Sequence, residues 1–67
     1  MSKAEVQKNE TEKIIIQKKE FKGKEYVDIR LFYQPANGGD YLPTKKGVTM
    51  GCGQFEEFKS VLDQVEI

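Results

Sequence analysis

The sequence predicts an α+β domain in which an antiparallel sheet precedes one covering helix, in the order β-β-β-β-α. Residues 13–21 are rich in β-branched side chains, and residues 24–34 alternate between two kinds of side chain with period two. Residues 54–67 instead place apolar side chains at spacings of three and four, which is typical of an amphipathic helix. These two periodicities, in this order, indicate the fold class.

The chain is short enough that self-association is an expected source of stability. It has 67 residues, and a domain of that size buries only about 60% of its unfolded surface. Residues 1–12 are polar and charged, so we expect a flexible N-terminal arm. Residues 13–67 then form one domain, and its small size favours a homodimer. A monomer with a tight small core is the alternative.

The first two predicted strands form a hairpin. KIIIQKKEF, residues 13–21, is the first strand, and the glycine of FKGKE suits a tight turn. In the second strand one set of alternating side chains is mostly aliphatic and is assigned to the core: Glu25, Val27, Ile29, Leu31 and Tyr33. The other set is assigned to an open face: Lys24, Tyr26, Asp28, Arg30 and Phe32.

The rest of the chain completes the sheet and adds the helix. QPANGGD, residues 34–40, predicts a loop. DYLPT and KKGVTM, residues 40–44 and 45–50, predict two short strands, with Pro43 favouring an edge position. The apolar stripe of the helix is expected to supply core and dimer contacts: Phe55, Phe58, Val61, Leu62 and Val65.

The inventory of reactive side chains argues against catalysis. The chain contains no histidine and one cysteine, Cys52. Histidine is the usual general acid–base residue at neutral pH, and zinc sites need clustered ligands at defined spacings, so we expect neither an enzyme nor a metal or other cofactor. We also find no signal-peptide core and no apolar run long enough for a bilayer. The sequence therefore favours a cytoplasmic protein with no membrane partner.

Charge is balanced overall but segregated along the chain. Residues 13–30 carry six basic against three acidic side chains, a net of +3, and residues 54–67 carry one against four, a net of −3. Aromatic residues are interleaved with the basic ones, as a surface for single-stranded nucleic acid requires. From the residues alone, a plain solvated face and a protein-interaction surface remain open alternatives.

Three segments in order, FKGKEYVDIR, PTKKGVT and QFEEFKSVLDQV, resemble the transcriptional coactivator positive cofactor four family and its bacterial relatives. The similarity covers about residues 12–65. It implies a curved four-stranded antiparallel sheet followed by a helix, and a homodimer through the helices. It also implies sequence-independent binding of single-stranded DNA.

The resemblance further implies which residues contact DNA. Phe21 and Tyr33 would stack bases, and Tyr33 stands where eukaryotic members have a tryptophan. Tyr26 or Phe32, aromatic residues of the same strand, are second choices from the residue pattern. The implied phosphate contacts, joined by Lys18 from the same basic segment, are Lys22, Lys24, Arg30, Lys45 and Lys46. Leu42 replaces a lysine of the eukaryotic members, which removes one such contact.

One conflict accompanies these assignments. Arg30 and Tyr33 have an odd spacing, so they point to opposite faces of a regular strand. Both can reach DNA only if the strand bulges or ends between them.

The sequence leaves the cellular process open. The expected setting is the cytoplasm, in association with the nucleoid. Transcription or replication proteins are possible partners. The alternatives are a protein-interaction module of the transcription machinery and a binder of single-stranded RNA.

Overall fold

A computed structural model describes residues 3–66, which form four strands and one helix. The elements are β1 (Lys3–Gln7), β2 (Glu12–Phe21), β3 (Lys24–Tyr33), β4 (Leu42–Gly51) and α1 (Cys52–Leu62). The strands make one sheet in the order β1-β2-β3-β4, and every neighbouring pair is antiparallel. The predicted α+β class and the β-β-β-β-α order are therefore confirmed.

The four strands are not the four that the sequence predicts. β1 lies inside the predicted flexible arm and pairs with β2 from Lys3↔Gln17 to Gln7↔Lys13. The prediction of an arm over residues 1–12 is therefore wrong for residues 3–7, while residues 1 and 2 lie outside the described residues. The two short strands predicted after the loop are instead one strand, β4.

The pairing register assigns side chains to two faces, because facing residues of antiparallel strands point the same way. On one face Ile15 opposes Arg30 and Lys19 opposes Tyr26. We call this the open face. The side chains of β3 on it are the five that alternation predicts, from Lys24 to Phe32.

The opposite face carries the helix, and we call it the helix face. There Lys18 opposes Val27. Cys52 and Phe55 of α1 line a groove together with Ile16 and Val27. The predicted core side of β3 is thus the side that the helix covers.

Full burial is confined to a few residues. Among residues 3–66, only Ile15, Val27 and Asp28 are buried. Asp28 was expected on an open surface, yet it is 2% exposed. The sequence prediction fails there because Asp28 has an ion-pair partner, Arg30, that lies over it.

The helix is shorter than predicted at its C-terminal end. It begins at Cys52 and ends at Leu62, so Val65 lies beyond it and is 69% exposed. Phe55 and Phe58 are half-buried, with ring centroids 6.3 Å apart. Within the described chain no helix is long and apolar enough to cross a membrane.

The turn between β2 and β3 holds a lysine in a conformation that L-residues rarely adopt. Lys22 has φ 52° and Gly23 has φ 81°, and Phe21 pairs with Lys24 on either side of them. Two central residues with positive φ meet the requirement of a type I′ hairpin turn, in which asparagine and glycine are preferred. Lys22 therefore carries backbone strain.

A bulge interrupts β4 opposite Leu31. The register runs from Arg30↔Gly47 to Phe32↔Pro43, so three residues of β4 stand opposite one residue of β3. The hydroxyl of Thr44 donates to the Leu31 carbonyl at 2.8 Å. The Thr44 hydroxyl oxygen also accepts a hydrogen bond from the Lys46 amide at 3.1 Å. These bonds fix the shape of the bulge.

Gly47 follows the bulge at a point where β4 approaches β3 closely. A Cβ at Gly47 would lie 2.6 Å from the Ile29 carbonyl oxygen and 3.0 Å from the Arg30 Cα. Both atoms belong to backbone, which cannot move aside cheaply. The position therefore requires glycine for space.

We expect Lys22→Asn to raise the free energy of unfolding by about 0.5–1 kcal/mol, since asparagine tolerates the left-handed region that lysine occupies under strain. Urea denaturation followed by circular dichroism measures the change. Lys24→Asn removes the same charge from a strand position without positive φ. An equal gain in that control would show that charge, and not the turn, sets the effect.

We expect Gly47→Ala to lower the free energy of unfolding by about 1–3 kcal/mol, because the added methyl group overlaps the backbone of β3. Gly53→Ala is the matched control, since a Cβ at Gly53 meets nothing within 4 Å. Alanine inside a helix is favourable relative to glycine, so the control should gain stability. Equal melting temperatures for the two variants would contradict the close approach.

Candidate nucleic-acid interface

The turn end of the open face combines aromatic and basic side chains. Lys19 opposes Tyr26, and Phe21 opposes Lys24. Directly opposed side chains on a sheet have Cβ atoms about 5 Å apart. Each aromatic ring in this region therefore has a lysine beside it on the neighbouring strand.

Phe21 is the most exposed aromatic residue of this group. It is 65% exposed, and the Lys22 Nζ lies 5.4 Å from the centre of its ring. A ring this exposed contributes little packing energy to the fold described here. It offers a flat apolar surface next to a cation, which is the combination on which nucleotides stack.

The centre of the open face is organised by Asp28 and Arg30. Arg30 Nη2 donates to Asp28 Oδ1 at 2.9 Å, and Arg30 Nε donates to Asp28 Oδ2 at 3.2 Å. Arg30 Nη1 donates to the Thr44 carbonyl at 2.8 Å. The hydrogen bond to Asp28 raises the pKa of Arg30 above its usual range. Of the five N–H donors of a guanidinium, three are thus engaged inside the protein.

Lys19 shares the same carboxylate. Its Nζ lies 3.9 Å from Asp28 Oδ2, and its side chain is 43% exposed. Sequence reasoning placed Lys18 in the site and left Lys19 out. Because KIIIQKK has no alternation that marks its faces, only the pairing of Lys19 with Tyr26 reveals the difference.

Lys18 lies on the helix face, opposite to the predicted contacts of the open face. It opposes Val27, and its Nζ lies 3.0 Å from Glu25 Oε2. The hydrogen bond to Glu25 raises the pKa of Lys18. The structure therefore does not bring Lys18 together with Phe21, Lys24 or Arg30, and the sequence grouping is corrected.

The predicted contacts beyond Arg30 are also divided between faces. Tyr33 opposes Glu12 and Leu42 at the end of β3, on the helix face, and it is 41% exposed. The register of β2 with β3 is continuous up to this residue. The bulge lies in β4 instead, so the opposite orientations of Arg30 and Tyr33 remain.

The two lysines of the β4 bulge do not join the turn-end cluster. Lys46 lines a groove of the helix face together with Ile29 and Val48. Lys45 is exposed within the bulge. Neither is among the residues that the open face brings next to Tyr26.

The other end of the open face has its cation neutralised. Lys13 Nζ lies 3.1 Å from Glu5 Oε1 and 4.2 Å from the centre of the Tyr41 ring. Gln7 Nε2 donates to the Tyr41 hydroxyl at 3.3 Å. The Lys13 side chain is only 18% exposed. The available positive charge of the open face is consequently concentrated toward the turn.

The potential metal ligands of the chain lie apart from one another. Across the part of the chain that the structure describes, no group of three or more His, Cys, Asp or Glu is placed to hold a metal ion.

Comparison with known proteins gives relatives from animals. The chain is 41% identical over 46 residues to an RNA polymerase II transcriptional coactivator of Drosophila melanogaster. It is 33% identical over 46 residues to a putative RNA polymerase II transcriptional coactivator of Caenorhabditis elegans. Each alignment covers 69% of this chain, and 40% and 37% of the respective relative. The chain thus spans well under half the length of these relatives.

Solved structures extend the similarity to bacteria and phage. A PC4 homologue from Burkholderia pseudomallei K96243 superposes with a TM-score of 0.84 at 30% identity, over 96% of this chain and 85% of that one. The bacteriophage T5 homologue of the eukaryotic transcription coactivator PC4 superposes with a TM-score of 0.63 at 22% identity, over 96% and 81%. The phage protein shows that the fold is shared.

The match to the family model covers more of the chain than either alignment with an animal protein. Residues 8–61 match the family described as Transcriptional Coactivator p15 (PC4). That range holds β2, β3 and β4, together with nearly all of α1. The chain therefore belongs to the PC4 family of transcriptional coactivators.

Proposed function

We propose that this protein binds single-stranded DNA without sequence preference, through the open face of its sheet, as a homodimer. The observation that carries the proposal is the turn end of that face, where exposed Phe21 and half-buried Tyr26 each oppose a lysine. Single-strand binders combine a basic path for phosphates with aromatic platforms for bases. This face offers both within one hairpin.

The mechanism divides between charge and stacking. Lys22 and Lys24 would neutralise phosphates at the turn, and Phe21 and Tyr26 would stack bases. Phosphate contacts supply affinity and position but carry no sequence information. Stacking tolerates every base because each has a π-face, and it contributes about 1–3 kcal/mol per base. The surface would therefore prefer single strands, whose bases are free to leave their own stack.

The remaining family-implied contacts lie further from this cluster. Arg30 would contribute through its two remaining N–H donors, and Lys45 through the exposed bulge. Tyr33 and Lys46 would reach a strand only where it passes the rim of the sheet, because both belong to the helix face.

The helix face supports the homodimer. Val48, Val61 and Leu62 are 50%, 40% and 51% exposed, although all are large aliphatic residues. Ile14, Ile29, Leu31 and Val48 line an open groove there, together with Lys8 and Lys46. A second copy would cover this surface with its own helix. Glu56 and Glu57 of that helix, and Asp63 directly after it, would supply acidic side chains that suit those lysines.

The descriptions of the relatives support a setting in DNA transactions. Two are transcriptional coactivators by description, and the phage homologue is implicated in recombination-dependent DNA replication. We propose a non-enzymatic role in such DNA transactions, in the cytoplasm at the nucleoid, alongside transcription or replication proteins.

We expect a labelled oligothymidine of about 20 nucleotides to bind more tightly than a matched duplex, by fluorescence anisotropy. The affinity should fall with salt, with a slope of about −0.7 per neutralised phosphate. Absence of binding to either at low salt would reject the function in favour of a protein-interaction module. Competition by a matched RNA decides the remaining alternative, since an equal affinity for RNA would remove the DNA preference.

We expect Phe21→Ala to weaken binding of the oligothymidine by about 1–3 kcal/mol, because it removes the most exposed stacking platform. Tyr33→Ala is the matched comparison on the helix face, and its loss should be smaller. If the two variants lost equal affinity while light scattering showed an intact dimer, Tyr33 at the end of β3 would belong to the binding site. No loss for Phe21→Ala would remove that residue from the interface.

We expect Val48→Glu to convert the dimer to monomer, because it places a charge in the aliphatic groove. Thr49→Glu is the control, since Thr49 neighbours it in sequence but opposes Asp28 on the open face. That control should stay dimeric and lose DNA affinity through like-charge repulsion. Sedimentation equilibrium measures the oligomeric state of both variants. A dimeric Val48→Glu variant would contradict the assigned interface.

A further inference from the structure

We propose that Tyr41 closes one end of the open face and thereby limits the length of single strand that each copy binds. This inference rests on the proposed binding of single-stranded DNA and concerns the strand length which that surface accepts. The closed end lies opposite to the hairpin turn, where Lys13 of β2 stands beside Phe32 of β3.

Tyr41 reaches across the sheet from the loop that precedes β4. Its ring centre lies 4.2 Å from Lys13 Nζ on β2, and its hydroxyl accepts a hydrogen bond from Gln7 Nε2 on β1 at 3.3 Å. Because β3 lies between β4 and β2, the side chain must pass the end of β3, whose last open-face residue is Phe32. The ring therefore lies at the row of the sheet in which Lys13 opposes both Gln7 and Phe32.

The loop that carries Tyr41 is held by its own hydrogen bonds. The Gln34 amide donates to the Thr11 carbonyl at 2.7 Å, which ties the start of the loop to the connection between β1 and β2. The Gly38 amide donates to the Pro35 carbonyl at 2.9 Å, and Gly38 has φ 79°. A loop with such internal bonds can hold an aromatic ring over the sheet without help from a ligand.

Both ends of the open face place a lysine beside an aromatic ring, but the two ends differ in exposure. Near the turn, Lys22 Nζ lies 5.4 Å from the ring centre of Phe21, which is 65% exposed. At the far end, the Lys13 side chain is 18% exposed and is bound to Glu5 Oε1 at 3.1 Å. The first pair is open to a ligand, whereas the charge of Lys13 is compensated by Glu5 and its ammonium is covered by the Tyr41 ring.

These contacts limit how far a bound strand can extend. A strand that follows the open face from the turn passes the Asp28–Arg30 pair and then meets the Tyr41 ring. A base cannot occupy the same volume as that ring, and a phosphate gains little from a lysine that a carboxylate already neutralises. Removal of the ring would open the surface around Phe32 to one further base.

Oligothymidines of increasing length, from about 6 to about 24 nucleotides, measure the strand length that the full chain accepts. For the wild-type chain, the affinity should rise with length and then reach a plateau. Tyr41→Ala should move the plateau to longer oligomers by about one nucleotide per protomer and raise the plateau affinity about fivefold, as one added stacked base requires. Tyr41→Phe keeps the ring and should retain the wild-type plateau.

Tyr41→Val is a second truncation, because a β-branched side chain suits the start of a strand but is too short to reach Lys13. It should shift the plateau as Tyr41→Ala does, and circular dichroism checks that both variants are folded. An unchanged plateau in the folded variants would overturn the inference while leaving the proposed function intact. A loss of affinity at every length would assign the ring a purely structural role, which also overturns it. Failure of the wild-type chain to bind at any length would reject the proposed function itself, and the inference with it.

Discussion

The ion pair between Asp28 and Arg30 is the constraint on which the rest of the open face depends. A carboxylate that is 2% exposed needs a partner, because an uncompensated buried charge is strongly destabilising. Arg30 satisfies it and at the same time reaches across to the Thr44 carbonyl. One guanidinium thereby joins the middle of β3 to the bulge of β4. The hydrogen bonds of Arg30 therefore fix both the position of β4 and the neutralisation of Asp28.

The two faces of the sheet then take different tasks. On the open face, the lysine at the end far from the turn, Lys13, is paired within the fold. The exposed positive charge therefore lies near the turn, beside the aromatic rings. On the helix face, aliphatic side chains outnumber what a single helix covers, as the exposure of Val48 and Leu62 shows. In the proposed dimer a second copy shares that surface, which leaves the opposite face free for the proposed ligand.

Sequence reasoning succeeded where a periodic signal was strong. The alternation of residues 24–34 assigned both faces of β3 correctly, because aliphatic residues stand at every second position of its central part. It failed for β1, whose polar sequence KAEVQ is held by pairing with β2 and not by burial of its own. The three consecutive isoleucines of β2 do not indicate which residues share a face of the sheet. The faces of Lys18 and Lys19 are therefore assigned only by their partners on β3. The β4 bulge depends on contacts with distant residues, Arg30 and Leu31, that no local pattern reports.

The alternation of the strands has a consequence for how such a domain can change over time. Deleting or inserting one residue within β2 or β3 would exchange the side chains of the open face with those of the helix face. Both properties would be lost together, even though each altered residue is chemically ordinary. Changes of length are therefore tolerable only in the connections at residues 8–11 and 34–41, whereas the strands can diverge by substitution alone. The hairpin of β2 and β3 should keep its spacing across relatives whose loops differ freely.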